Sequence, residues 1–364
     1  MAGDYYNIVE IESAVENLAM NYSTLCTRIP LPNPSAEGKA SSALKISSGF
    51  GHPRGTVLLL GGAHGREWGS SEILLGFAAD LLLAYRAKGS MSYGAKTFSV
   101  GQIQGLLRAI DIVVFPLINP DGLNHSHAND GATTGGWRKN RNRSSSGGDD
   151  AKIGVDINRN FNFLWDFRQT MTDDVWTSDD PGSEYFFGTG PFSEGETKNV
   201  KFLLEAIPDI RWLVDIHSAS ESILFNWGTG TNDSLDPTKN FRNPQWDLKR
   251  GDSDLGYTEY MPADDLATAL QLSNAMQAAI LAVRGKNYSV KQSFDLYPAT
   301  GVAEDYAYSR HWVASCAPKV QGFVIEFGEY FHPAWSEMKL IIADISAALF
   351  AFCAAVPQQR QRKC

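Results

Sequence analysis

A chain of 364 residues, 43% hydrophobic and 11% aromatic, holds enough apolar side chain for a sizeable core. A formal net charge of −9 and a pI of about 5.3 remove the electrostatic case for nucleic acid or an anionic membrane as partner. No run approaches the roughly eighteen consecutive apolar residues of a membrane span, and Met1-Ala-Gly-Asp-Tyr-Tyr-Asn7 lacks the basic-then-apolar layout of a secretory signal.

Taken in chain order, helical periodicity covers Ile11–Tyr22, and strands are predicted at Ala43–Ser47 and Thr56–Leu60. A helix over Ser70–Lys88 follows, and the turn between strand and helix reads Gly61-Gly-Ala-His-Gly-Arg-Glu-Trp68. His64 and Glu67 lie three residues apart there, so an imidazole and a carboxylate project from one side of a turn. A hydrolytic zinc site needs three protein ligands and one open position. A helix at Gly101–Ala109, a strand at Asp111–Leu117 and a polar loop at 124–150 come next. The loop's basic cluster, Arg138, Lys139, Arg141 and Arg143, is continued by Arg159 in Asp156-Ile-Asn-Arg-Asn160. Lys139 and Arg143 read as solvated. Arg141 and Arg159, with the Asn158 amide, make a shaped receptor for a carboxylate and a donor for an oxyanion.

After a helix at Glu194–Ala206, the strand Arg211–His217 ends on a histidine that is either a third metal ligand or an ordinary strand-end residue. A strand at Ser222–Asn226, a second polar loop at 228–256 and helices at Pro262–Arg284 and Val302–His311 follow. The strand Gly322–Phe327 carries one carboxylate, Glu326, among apolar neighbours. It is either half of an ion pair or a general base. A helix at Glu337–Ala355 closes the pattern. This alternation predicts an α/β fold with helices on both faces of a largely parallel or mixed sheet, and no linker divides the chain, so a single domain over 1–364 is expected. The cysteines, Cys26, Cys316, Cys353 and Cys364, show no metal or disulfide spacing, and two buried thiols are expected.

The ordered motifs are His64-Gly-Arg-Glu67, Asn119-Pro-Asp-Gly122, Trp137-Arg-Lys-Asn-Arg141, Asp156-Ile-Asn-Arg159, His217-Ser218, Leu296-Tyr-Pro-Ala-Thr-Gly301 and Val324-Ile-Glu-Phe327. Together the chain resembles the zinc metallocarboxypeptidases of the carboxypeptidase A/B type. The resemblance implies a central mixed eight-stranded sheet and one zinc ion per chain, held by His64, Glu67 and His217. It implies Glu326 as the base that activates water, Arg141 as the oxyanion donor, and Asn158, Arg159 and Tyr297 as the clamp for a peptide's terminal carboxylate. Asp156 would orient a ligand histidine through its other ring nitrogen.

Counting on from Tyr297, Glu304 falls where members that cleave C-terminal Lys or Arg carry an acidic residue. It stands equally well as an acidic residue at a helix start. Gln292 and Leu296, near that pocket by resemblance, leave room for mixed preference. Ala219 departs from the family, where many members show an aromatic. No pro-segment is visible, and without a secretory-signal layout the expected compartment is the cytoplasm, or outside the cell with a signal already removed. The expected partners are peptide or protein C-termini, with no nucleic acid and no membrane. A zinc amino-acid deacylase of the same fold and a non-catalytic binding member are the rival expectations.

Overall fold

Three runs, Thr56–Gly61, Ile210–His217 and Gln321–Glu326, are buried almost throughout, which suits parallel strands covered on both faces. The computed structural model describes residues 5–49, 55–130 and 135–357. In chain order the elements are α1 (Ile8–Asn21), β1 (Cys26–Pro30), β2 (Ser42–Ile46), β3 (Thr56–Gly61), α2 (Ser70–Ala87), β4 (Met91–Tyr93), β5 (Lys96–Phe98), α3 (Val100–Ala109), β6 (Asp111–Phe115), α4 (Pro120–Asn129), α5 (Gly195–Ala206), β7 (Ile210–His217), β8 (Ser222–Phe225), β9 (Asn232–Asp233), β10 (Glu259–Tyr260), α6 (Ala263–Arg284), β11 (Ser289–Gln292), α7 (Ala303–Val313), β12 (Gln321–Glu326) and α8 (Trp335–Ala355).

Eight strands form one sheet in the order β1-β2-β6-β3-β7-β12-β8-β11. The inner run β6-β3-β7-β12 is parallel throughout, and the outer pairs are mixed. Period-two alternation sorts the strand side chains between two cores. Val57, Leu59, Val214, Ile216, Phe323 and Ile325 pack on one face with α2, α6 and α8. Leu58, Leu60, Leu213 and Val113 pack on the other with residues of α5 and α7.

Besides the two- and three-residue strands β4, β5, β9 and β10, the sequence pattern misses three elements. The edge strands β1 and β11 are half-exposed and polar, and β1 ends at Pro30, so neither shows the apolar run of a central strand. Helix α4 runs from Pro120 into the stretch expected to be loop from 124. It has little apolar periodicity, but it starts as helices should, with Asn119 accepting from Gly122 N–H and Pro120 in the first turn. Helix α1 begins earlier than predicted because Asn7 and Glu10 form a capping box.

Two helices, α6 and α8, are long and apolar enough to cross a membrane, which counting uninterrupted apolar runs does not detect. They pack instead on each other, and α8 buries Ile341, Ile345, Leu349 and Phe352 in the first core. Cys26 and Cys353 are buried free thiols, Cys316 is exposed, and Cys364 lies outside the described residues.

The segment expected as a second long loop, 228–256, is held by a polar core. Fully buried Arg250 donates to Asp247 Oδ1 at 2.5 Å and to the carbonyls of Asn243 (2.8 Å), Phe241 (3.3 Å) and Thr170 (3.3 Å). Buried Glu259 accepts from Tyr257 Oη, Thr229 Oγ1 and Phe241 N. Replacing Arg250 strands several acceptors at once, so R250A is expected to lower unfolding free energy by about 3 kcal/mol. Urea denaturation checks this, and a loss below about 0.5 kcal/mol, ordinary for a surface site, would contradict it.

Candidate active site

Parallel strands present their carboxyl ends on one edge, where ligands of open α/β sheets bind. Here β3 ends at Gly61, opposite Ile216, and Glu326 pairs with His217 across β12 and β7. The turn after β3 carries His64 and Glu67, β7 ends on His217, and β12 ends on Glu326. Groups 64, 67, 217 and 326 of the sequence therefore meet at one edge of the sheet.

The turn is fixed from outside. Asn119 N donates to Gly62 O, Asn119 Nδ2 to Ala63 O, and Gly65 N to Arg138 O. A Cβ on Gly65 would lie 2.4 Å from Gly122 O, so the close approach that glycine permits here is to the start of α4. Buried Asp121 in turn accepts from Ser35 Oγ, Glu37 N and Lys39 Nζ. The Asn119–Gly122 motif thus works as a bracket for the ligand turn.

His64 Nδ1 lies 2.6 Å from Glu67 Oε1, His217 Nδ1 lies 2.9 Å from Glu67 Oε2, and the two Nδ1 atoms are 3.1 Å apart. Ligands bound at about 2.0–2.2 Å to a common tetrahedral ion sit roughly 3.3 Å from one another. This buried trio is the group of described residues whose donor atoms converge well enough to hold a metal ion. Its electrostatics agree. Burial opposes a charged His217, yet Asp215 and Glu67 beside it push its pKa well above the ordinary value. Burial likewise raises Glu67, and the two imidazoles outweigh it and hold the carboxylate well below its usual range. The pocket is built around a positive charge, and two nitrogens with one carboxylate are a donor set that suits zinc.

Asp156 stands where it was expected, with Oδ1 3.1 Å from His64 Nε2. Its Oδ2 accepts from Arg138 Nε at 2.9 Å, and Oδ1 also accepts from Asn158 N at 2.9 Å. Arg138 Nη1 is 3.8 Å from Glu67 Oε1, and its buried Nη2 has no acceptor among the described residues. Arg138 is therefore the loop arginine that reaches the centre. Arg141, the expected oxyanion donor, does not: its guanidinium lies over the Trp137 ring at 4.5 Å, and its charged neighbours are Glu37, Arg143, Asp150 and Asp121. The two arginines are three residues apart in a segment without regular structure, so no periodicity tells which one turns inward. Lys139 is buried, not solvated, and donates to Pro181 O, whereas Arg143 is exposed beside Asp150.

Asn158, Arg159, Tyr297, Glu304 and Glu326 line one cavity, with Leu224, Ser293, Leu296 and Val324 among its walls. Asn158 Oδ1 accepts from Ala303 N. Arg159 is 1% exposed, donates to Trp176 O and Asn158 O, and leaves Nη2 unpartnered. Tyr297 stacks on Trp176 (4.6 Å, 11°), and the Tyr185 ring sits 5.4 Å from the Arg138 guanidinium and 5.7 Å from that of Arg159. Nothing in the sequence placed Trp176 or Tyr185 here, since both come from irregular chain. Gln292, considered for the same cavity, has its amide engaged by Trp227 O, Gly230 O and Asn232 N. Glu326 is half-buried toward the cavity rather than sealed in the core, and no ion-pair partner touches it among the described residues. Burial raises its pKa to about 7, with Glu67 adding to the rise and His217 and Arg138 opposing it.

The profile of the zinc carboxypeptidase family matches residues 11–340. The chain belongs to this family. Among curated relatives it is 29% identical over 305 residues to carboxypeptidase B of Astacus astacus, covering 83% of this chain and 81% of that protein. It is 25% identical over 307 residues to carboxypeptidase A4 of Mus musculus, covering 84% of this chain but only 60% of that one. The crystal structure of thrombin activatable fibrinolysis inhibitor superposes with a TM-score of 0.72 at 23% identity, over 96% of this chain and 73% of the other, and so shares the fold. As a member, the chain is a metallocarboxypeptidase.

The placement of the two arginines sets an outcome. R138A is expected to lower kcat on a peptide substrate by about 10²–10³, the usual loss of an oxyanion donor, while R141A stays within a few-fold of the parent. Steady-state kinetics decides, and the reverse ranking would restore Arg141.

Proposed function

We propose that the chain removes the last residue of peptides and proteins, preferring C-terminal Lys or Arg. The clamp supports the first part. A buried arginine with one free Nη donor, beside the Asn158 side chain and the Tyr297 ring, suits a terminal carboxylate, which accepts bidentate, charge-assisted hydrogen bonds. A deacylase would not need the full clamp of Asn158, Arg159 and Tyr297, and no observation favours a non-catalytic member while His64, Glu67, His217 and Glu326 all remain in place.

The observation that carries the preference is Glu304. It is 4% exposed, lines the same cavity as the clamp, and its Oε2 has no hydrogen-bond partner among the described residues. Burial, with Asp305 adding to it, raises its pKa to about 8. An ammonium or guanidinium entering the cavity supplies the missing partner, whereas an apolar side chain leaves a buried carboxyl unsatisfied.

His64, Glu67 and His217 would hold the zinc ion, which when bound would supply a water of lowered pKa and a Lewis acid for the scissile carbonyl. Glu326 accepts the proton from the attacking water and passes it to the departing amine. Arg138, anchored by Asp156, turns its free Nη2 toward the developing oxyanion. Arg159 and Asn158 hold the carboxylate so that the last peptide bond, and no other, lies against Glu326.

Release of the last residue from matched peptides ending in Lys, Arg, Phe, Leu and Glu, with and without a zinc chelator, tests the reading. Chelator-sensitive release led by Lys and Arg is expected, and E304Q should narrow the lead over Leu by about tenfold or more. Because the Glu304 carboxyl ionises as pH rises toward about 8, KM for Lys-ended peptides should fall from pH 6.5 to 8.5 while KM for Leu-ended peptides does not. Release led by Phe or Leu would overturn the preference and leave the enzyme.

Glu326 must be ionised to accept a proton, so kcat/KM on the preferred peptide should rise with pH along an acid limb. A bound cation lowers the carboxyl from its metal-free value of about 7, so the limb is expected between the ordinary carboxylate range and pH 7. E326Q should lose about 10²–10⁴ in kcat together with that limb. An acid limb unchanged in E326Q would assign it to another group.

A further inference from the structure

Asp215 and His217 are two residues apart on β7, so both side chains leave the same face of the sheet. His217 Nε2 lies 3.1 Å from Asp215 Oδ2, and His64 Nε2 lies 3.1 Å from Asp156 Oδ1. Each imidazole therefore turns Nδ1 toward the metal centre and Nε2 toward a buried carboxylate.

The two carboxylates differ in what else they have. Asp156 also accepts from Arg138 Nε and Asn158 N. Among the described residues neither oxygen of Asp215 accepts a hydrogen bond in good geometry and His217 Nε2 donates none, so the 3.1 Å approach of Nε2 to Oδ2 is the one polar contact each makes. Asp215 is 1% exposed. Its register neighbours are Leu60 on β3 and Val324 on β12, both apolar. Helix α7 packs over this face and brings a second carboxylate, Glu304, rather than a cation. Packing alone would place a hydrophobic residue at 215. A carboxylate buried among apolar groups and facing another acid costs several kcal/mol unless a donor meets it, as an order of magnitude. His217 Nε2–H is the donor within reach.

We propose that Asp215 is a positioning residue of the metal centre. It fixes the proton of His217 on Nε2, leaves Nδ1 free for the ion, and strengthens the imidazole as a ligand. Both histidine ligands are then backed by their own carboxylate. Asp156 is shared with Arg138, and Asp215 is dedicated to His217. The proposal rests on His217 being a zinc ligand, and its test separates the two ideas.

The test compares the intact chain with D215N, D215A and H217A. Zinc affinity is read by competition against a chromophoric chelator, and apo and zinc-loaded melting are followed in parallel. D215N keeps the shape and an acceptor but loses the charge, and zinc should bind it about 10–100-fold more weakly, as when other such partners are removed. D215A should bind at least as weakly, and in both variants the loss in zinc affinity should exceed what any change in apo melting accounts for. In the zinc-loaded parent the His217 Nε2–H should be a slowly exchanging NMR signal that D215A loses. Zinc affinity of D215N within twofold of the parent, with H217A strongly impaired, overturns the role of Asp215. A drop in apo melting without a change in zinc affinity also overturns it, by making Asp215 purely structural. Unchanged affinity in H217A would instead overturn the ligand assignment beneath it.

Discussion

Two imidazole nitrogens 3.1 Å apart, with a carboxylate bridging them in a buried pocket, form an arrangement that one shared cation satisfies. Much else in the molecule answers to that demand. The parallel pairing of β3, β7 and β12 brings three strand ends to one edge, so that groups from positions 64, 67, 217 and 326 meet. The bracket of Asn119 and Gly122 holds the turn after β3 from behind, and Asp121 ties that bracket to the Ser35–Lys39 segment. Around the centre, carboxylates alternate with nitrogen groups: Asp156 lies between His64 and Arg138, and Glu67 between the two histidines.

Electrostatics also divides the carboxylates by role. Glu67 is held ionised by its histidines, whereas Glu326 and Glu304 are raised by burial toward neutral pH. Environments that separate the proton affinities of like groups mark which acts as ligand, which as base and which as receptor. The orphaned Nη2 atoms of Arg138 and Arg159 give the complementary view, since buried donors without protein acceptors are places kept for something that arrives.

The central strands, most helices and the ligand trio were legible in the sequence. Apolar runs at Val57–Leu60 and Trp212–Ile216 are strong signals, and the spacing of His64 to Glu67 needs only one turn. Edge strands β1 and β11 were not legible, because half-exposed strands of four or five residues carry no distinctive pattern. Choosing between Arg138 and Arg141 needed coordinates, for in irregular chain the direction of a side chain is set by tertiary partners, here Asp156 and Trp137. Asp215 did have a signal: an acid two places before the strand-end histidine must share its face. Its meaning depended on knowing that nothing else on that face could meet it.

The stack of Trp176 on Tyr297 has an optical consequence. The indole is 46% exposed beside Tyr297, and its emission therefore depends on both water and the phenol lying flat against it. Any occupant that shifts Tyr297 changes the surroundings of that chromophore. The molecule carries its own fluorescent gauge of the clamp, readable without a label and without turnover, by comparing the ligand-induced change in emission of the parent with that of W176F.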